Sequence, residues 1–175
     1  YQTVYAEEPG SVAAPTAGLH FTPDVFARLE EKGIRSRFLS LHVGLGTFLP
    51  IKTANIEEHR MHEELFHIEE NLMLECKAAR EKGERVIAVG TTTVRALESA
   101  ARGMTGVTDL FLSPGADFQM VDCLFTNFHQ PKSSLIVMLA ALALASRSSR
   151  SKRSVRPAST AKAVVPVSCI TSMVW

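Results

Sequence analysis

Three stretches of this sequence place a histidine among small, hydroxylated or amide side chains: AGLHFT around His20, HVGLGTF opening on His42, and TNFHQPKSSL around His129. Imidazole gains and loses a proton near neutral pH, so each is a candidate general base or acid. The third stretch adds Asn127, Lys132 and Ser133, bringing an amide, a phosphate-neutralising cation and a hydroxyl into one loop. Its plain alternative is Ser133 as a helix cap and Lys132 as surface. VGTTTVRALES sets Thr91, Thr92 and Thr93 where a buried strand would turn into a helix. The free N–H groups of such a terminus bind a carboxylate or phosphate. Ordinary capping competes with that reading, with Arg95 and Glu98 paired at i,i+3 on a solvated face.

Two further patterns are weaker. HVGLGTF lacks the third glycine and the following helix of a dinucleotide-binding loop, so a tight turn with a structural histidine explains it equally well. In EEHRMHEE, His59, His62, Glu58 and Glu63 are all possible metal ligands, but the histidines are not spaced as in HExxH. A charged helix entry with polar contacts to substrate is expected there, and no metal.

The elements that position these loops follow from patterning. Thr22-Pro23-Asp24 predicts a helix start, with a hydroxyl cap, proline at the first helical position and an acid at the positive dipole end. That helix turns Val25, Phe26 and Leu29 inward and stops at Gly33. Residues 34–43 read as a strand, 64–82 as a long amphipathic helix closed by Gly83, and 86–90 as a short strand buried on both faces. A helix is expected over 91–101, a strand over 109–113, and an interior helix over 133–145. This alternation predicts an α/β fold of three layers, a largely parallel sheet with helices on both faces, and places ligands at the carboxyl ends of its strands. No periodicity is expected after Ala145.

Composition sets bounds on function. The chain has 175 residues, 46% hydrophobic and 21% charged, enough for one domain with a core. Its net charge of +1 divides unevenly: residues 1–145 hold all 18 acids against 13 Lys/Arg, and 146–175 hold six Lys/Arg and no acid. Cys76, Cys123 and Cys169 are odd in number and form no CxxC, which points away from a disulfide framework or zinc site and toward a reducing, cytoplasmic setting. The apolar run from Leu135 to Ala145 is too short to span a bilayer, and the opening residues lack the pattern of a signal peptide.

Taken in order, YQTVYAEEPGSVAAPTAGLHFT, HVGLGTF, HRMHEE, VGTTTVRALES and TNFHQPKSSL resemble the S-adenosylmethionine:tRNA ribosyltransferase-isomerase family of queuosine biosynthesis, from Tyr1 to about Ala143. The resemblance implies an enzyme that transfers the ribosyl group of S-adenosylmethionine to the 7-aminomethyl-7-deazaguanine wobble base of tRNA. Isomerisation then gives epoxyqueuosine, with release of adenine and methionine. It implies the tRNA anticodon loop and S-adenosylmethionine as partners, no metal, no membrane, and a monomer when full length. His20, His42 and His129 become the candidate catalytic residues. Thr91, Thr92, Thr93, Arg95, Asn127, Lys132 and Ser133 become the candidate substrate-binding residues. Family chains are roughly twice as long, on the scale of two domains. Residues 1–145 are therefore expected to be the carboxyl-terminal part of the α/β domain, without the family's inserted β-barrel. Low stability and little turnover are expected of this polypeptide alone.

Two departures stand out. Gln130 replaces a leucine usual in the family. After Leu144 the family's closing segment, of the form Tyr-Arg-Phe-x-Ser-Tyr-Gly-Asp-Ala-Met, gives way to ASRSSRSKRS and AKAVVPVSCITSMVW. Residues 146–175 are expected to be a disordered basic tail that leaves an open sheet edge. A reading-frame change near Leu144 is the expected cause, since codons for Val165-Pro166-Val167 shifted by one base can read Tyr-Arg-Phe; the coding DNA decides it, and an alternative frame without a family-like ending would exclude it. The competing functional reading is a non-catalytic nucleic-acid-binding protein using this Arg/Ser tail as an electrostatic arm. The acidic body and the scarcity of aromatics in the tail argue against it.

Overall fold

The computed structural model describes residues 2–6, 13–44, 50–53, 55–150 and 163–169, with side chains as far as Ser146. The local signals at the start of the chain act as expected. The Thr22 hydroxyl accepts the Val25 N–H and Pro23 opens α1 (Pro23–Glu31), which ends before Gly33 at φ +68°. β1 (Arg35–His42) follows.

Residues 64–82 depart from the single helix expected. Glu64–His67 form strand β2, with Glu64 and Phe66 buried and Leu65 and His67 exposed, and only then does α2 (Glu70–Glu81) begin. This period-two alternation is the signature of a half-buried strand, hidden in the sequence because it runs straight into a helical pattern. β3 (Arg85–Val89) and α3 (Thr91–Ala101) lie where the sequence puts them. The strand expected over 109–113 does not form; β4 is the dipeptide Val107–Thr108. β5 (Cys123–Phe125) is too short to have been legible. α4 runs from Ser134 to Arg150, five residues past its expected end. No helix among the described residues is long and apolar enough to cross a membrane.

The expectation of a wholly disordered tail fails at Ala163–Cys169, which form β6 in the interior of the sheet. The strand order is β4-β2-β1-β6-β3-β5. β6 runs parallel to β1 on one side and to β3 on the other, β5 runs parallel to β3, and β2 and β4 add an antiparallel flank. The outer strands are β4 and β5, not a vacancy left by the tail. The physical reason is composition: AVVPVSC is a run of small and β-branched residues suited to a buried parallel strand. One residue opposes this. The ladder toward β3 pairs Arg85 with Ala163, Val86 with Val164 and Val89 with Val167, with no pair given at Val165 or Pro166 among the described residues. Proline has no N–H to donate. Pro166→Val should therefore raise the urea midpoint, by about 1 kcal/mol of stability for one regained ladder bond; an unchanged or lower midpoint would count against it.

Alternating strand residues feed two apolar layers. Leu39, Leu41, Val86 and Ala88 pack with residues of α2, α3 and α4, including Leu72, Cys76, Leu97 and Met138. Ile87 and Val89 face the other way, toward Ala17, Phe21, Phe26 and Tyr5. These two cores on opposite strand faces make the three-layer α/β arrangement. Burial in the first pushes the Cys76 thiol up to about 12, so it behaves as a packed apolar group.

Candidate active site

The carboxyl ends of β1, β6, β3 and β5 share one edge of the sheet, and the candidate loops leave from it. At β5 the chain passes from Phe125 into Thr126–His129. The Gly90 N–H donates to Phe125 O at 2.9 Å, tying this exit to the β3–α3 turn. His20, at the end of a 3-10 turn over Thr16–His20, reaches the same loop: its Nε2 lies 3.2 Å from Asn127 Oδ1 and its ring packs edge-on to Phe125. His129 Nε2 lies 3.0 Å from Thr126 Oγ1. His20 thus reaches the loop that carries His129, although 107 residues separate His20 from Asn127. A Cβ on Gly18, within the same 3-10 turn, would collide with the Tyr5 hydroxyl, so a side chain there would displace that ring.

His42 stands apart. It is the last residue of β1, and β6 and β3 lie between that strand and β5. At the usual strand spacing this is roughly 14 Å across the sheet. Residues 45–48 of its motif lie outside the described residues, as do residues 1 and 7–12 of the opening motif.

Burial lowers the pKa of His129 from the ordinary histidine value of 6.5, which favours the neutral, proton-accepting form at neutral pH. The linkage has a definite sign. The unfolded chain takes up this proton more readily, so the stability contribution is intact above pH 6.5 and declines as pH falls from there through the lowered pKa.

The helix start of α3 is less open than the sequence suggests. Thr91 is buried, and Thr93 is fully buried with its hydroxyl donated to Val89 O at 2.6 Å. The solvated Arg95–Glu98 pair does not exist. Both side chains are buried, and each has a different partner: Arg95 pairs with Glu64, and Glu98 with Arg102. Glu64 escaped the sequence reading because a carboxylate within HRMHEE looks like surface. Its Oε1 accepts the Gly44 N–H at 3.2 Å while Oε2 pairs with Arg95, so three motifs converge on one buried carboxylate. Nor is EEHRMHEE a helix entry: residues 56–58 form a 3-10 turn and the segment leads into β2. His59 packs against Phe111, with ring centroids 5.1 Å apart.

Ser133 accepts the Ile136 N–H at 3.4 Å and so caps α4, as its plain reading had it. Lys132 before it has φ +61°, the one non-glycine residue with positive φ among those described, and its carbonyl accepts the Ile51 N–H at 2.9 Å. A left-handed lysine is strained by about 1–2 kcal/mol. Lys132→Gly relieves this but enlarges the unfolded ensemble, for a net gain of about 0.5 kcal/mol. The expected outcome is a higher melting temperature; a loss of stability would refute the strain argument.

A family model described as Queuosine biosynthesis protein matches residues 1–154, extending past the point near Ala143 where the resemblance was expected to stop. The S-adenosylmethionine:tRNA ribosyltransferase-isomerase of Cupriavidus pinatubonensis is 55% identical over 149 residues, covering 82% of this chain and 43% of that protein. The protein of the same name from Halothermothrix orenii is 52% identical over 149 residues, covering 82% and 44%. A crystal structure of S-adenosylmethionine tRNA ribosyltransferase from Thermotoga maritima superposes with a TM-score of 0.56 at 35% identity, over 78% of this chain and 44% of that one. The chain thus spans less than half the length of the relatives it matches.

Proposed function

The chain belongs to the queuosine biosynthesis protein family, and from that premise we propose that it carries the carboxyl-terminal part of an active site that rebuilds the ribosyl group of S-adenosylmethionine on a tRNA base. The reaction moves that group to the aminomethyl nitrogen of 7-aminomethyl-7-deazaguanine and isomerises it to the epoxide, with adenine and methionine released. It needs a base for the acidic proton beside the sulfonium, a base for the attacking ammonium, and an acid for departing adenine. The observation that carries the reading is the convergence of His20 and His129 on the Thr126–His129 loop at the carboxyl edge of β3 and β5. His129, kept neutral by burial, is the base; His20, exposed and held by Asn127, is the group able to exchange protons with solvent and protonate the leaving base. Phe128, wholly exposed between Asn127 and His129, offers a face on which a base can stack. Lys132 supplies a cation for tRNA phosphate, and the α3 helix start at Thr91 and Thr92 supplies N–H donors for an anionic or hydroxyl group of the substrate. His42, set apart across the sheet, is assigned to substrate contact, not to the same proton relay.

The test is adenine release from S-adenosylmethionine in the presence of tRNA carrying 7-aminomethyl-7-deazaguanine, followed against pH. With His129 as base, the rate rises with pH through the lowered pKa and is level by neutrality. His129→Gln should lower the plateau by about 100-fold or more and remove the acid limb. An acid limb that survives His129→Gln would reject the assignment. A salt-sensitive gel shift without turnover, lost when Arg147, Arg150, Lys152 and Arg153 are all replaced by Gln, would favour the nucleic-acid-binding alternative.

A further inference from the structure

The most unusual polar group in the molecule is the Arg95 guanidinium. It is 2% exposed, and its Nη1 pairs with Glu64, but Nε and Nη2 have no hydrogen-bond partner among the described residues. A buried donor without a partner is rare, and two on one cation rarer, unless a ligand or water completes them. Arg95 lines a small cleft with Met61, Leu112, Leu135, Met138 and Ser134. Ser134 is the first residue of the 17-residue helix α4. The amides of its opening turn have no intrahelical carbonyl to bond, and the helix dipole there favours negative charge. The cleft encloses about 10 Å³ of space for the centre of a water, room for one water or one carboxylate oxygen. Through Met61 and Phe111 it adjoins a wider cavity of about 450 Å³ whose wall carries Glu57, Glu58, Glu63 and Asp109 together with His59 and Arg60.

We infer that the Arg95 Nε/Nη2 fork and the start of α4 form a subsite for the carboxylate of an amino acid, whose positive charge lies toward the acid-lined cavity. Three features select this ligand class. One carboxylate oxygen can accept from both Nε and Nη2, the helix terminus adds N–H donors of the same sign, and the wall beyond, with Glu57, Glu58, Glu63 and Asp109 against the cation Arg60, favours an ammonium or sulfonium over a second anion. Met61 and Phe111, which line both the cleft and the wider cavity, give the passage between them an apolar wall suited to a thioether or sulfonium chain, since methionine side chains adapt to soft sulfur groups. The inference rests on the proposed use of S-adenosylmethionine and deepens it by placing the methionine end. It also moves the carboxylate away from Thr91–Thr93, where Thr93 has its hydroxyl turned to Val89 O. Glu64 keeps Arg95 in place and acts as a positioning residue.

Calorimetric titration of the unaltered chain with S-adenosylmethionine, L-methionine and L-methioninol, the last lacking the carboxylate, tests this. L-methionine should bind at least tenfold more tightly than L-methioninol. Arg95→Lys, which keeps the charge opposite Glu64 but loses the fork, should weaken S-adenosylmethionine binding tenfold or more. Ser134→Pro, compatible with a first helical position but lacking its N–H, should weaken it about threefold. The Arg95 Nε–H resonance of the unaltered chain should shift on adding L-methionine and not L-methioninol, a readout that stands even if Arg95→Lys fails to fold. If S-adenosylmethionine binds but Arg95→Lys binds it equally well, or L-methioninol equals L-methionine, the fork holds only a water and the subsite is overturned, while the proposed function stands. If S-adenosylmethionine does not bind the unaltered chain, the subsite and the functional reading fall together.

Discussion

Deleting residues 151–175 is expected to abolish cooperative unfolding of the chain. β6 is the seam of the sheet: Val164–Cys169 pair with Arg35–Ser40 of β1, and Ala163, Val164 and Val167 pair with β3. Without it, β1 and β3 present facing edges of unpaired N–H and C=O groups in the middle of the molecule, and the two apolar layers lose the backbone that joins them. At about 1 kcal/mol for each net hydrogen bond, with the lost packing added, the deficit is comparable with the 5–15 kcal/mol that typically holds a domain together. Urea titration followed by far-ultraviolet circular dichroism should show a broad, non-sigmoidal change in the truncated chain. A sharp transition at the original midpoint would mean that β1 and β3 pair directly and that β6 is dispensable. This contrasts with the sequence reading, in which the whole tail lay outside the fold.

Glu98→Gln is expected to destabilise the folded chain by about 3 kcal/mol, within the range for breaking a buried, hydrogen-bonded charge. The Glu98 carboxylate is fully buried. Oε1 accepts the N–H groups of Met120 and Val121 at 2.8 Å, and Oε2 accepts the Gln119 N–H at 2.9 Å and Arg102 Nη1 at 2.6 Å. An amide of the same shape keeps one acceptor oxygen and turns an NH₂ toward donors, so at least one backbone N–H and the Arg102 cation lose their partner. The effect reaches the candidate site, because residues 119–121 lead directly into β5 and the Thr126–His129 loop. Hydrogen exchange at residues 119–121 should accelerate most, and the urea midpoint should fall accordingly. A loss below about 1 kcal/mol would show that this loop is held by its apolar contacts and not by Glu98.

Much of the site was legible before any tertiary contact was known. The α1 cap, the β3 strand and the limits of α3 are set by residues a few positions apart, and the five motifs were sufficient to indicate the family. Asn127 and His129 were marked by chemical density within one loop. Glu64, Thr126 and the role of Glu98 were not, because each acquires its meaning from a partner far away in the chain. The opening of β2 was read as helix for the same reason: four residues of alternation are decided by the strand they pair with, not by their own propensity.

By itself, the sequence determined the helices, the parallel core strand and the chemical inventory of the carboxyl-edge loops, since these depend on periodicity and capping over short distances. Only the tertiary structure decided which histidines share a loop, which charges lie inside, and where the tail goes. His20 joins His129 and His42 does not because strand order, invisible in a linear pattern, sets lateral distance. Arg95 and Glu98 look like a solvated helix pair but are buried with other partners, because burial depends on what packs over a helix face. The segment Ala163–Cys169 becomes the centre of the sheet because β1 and β3 offer it two edges at once.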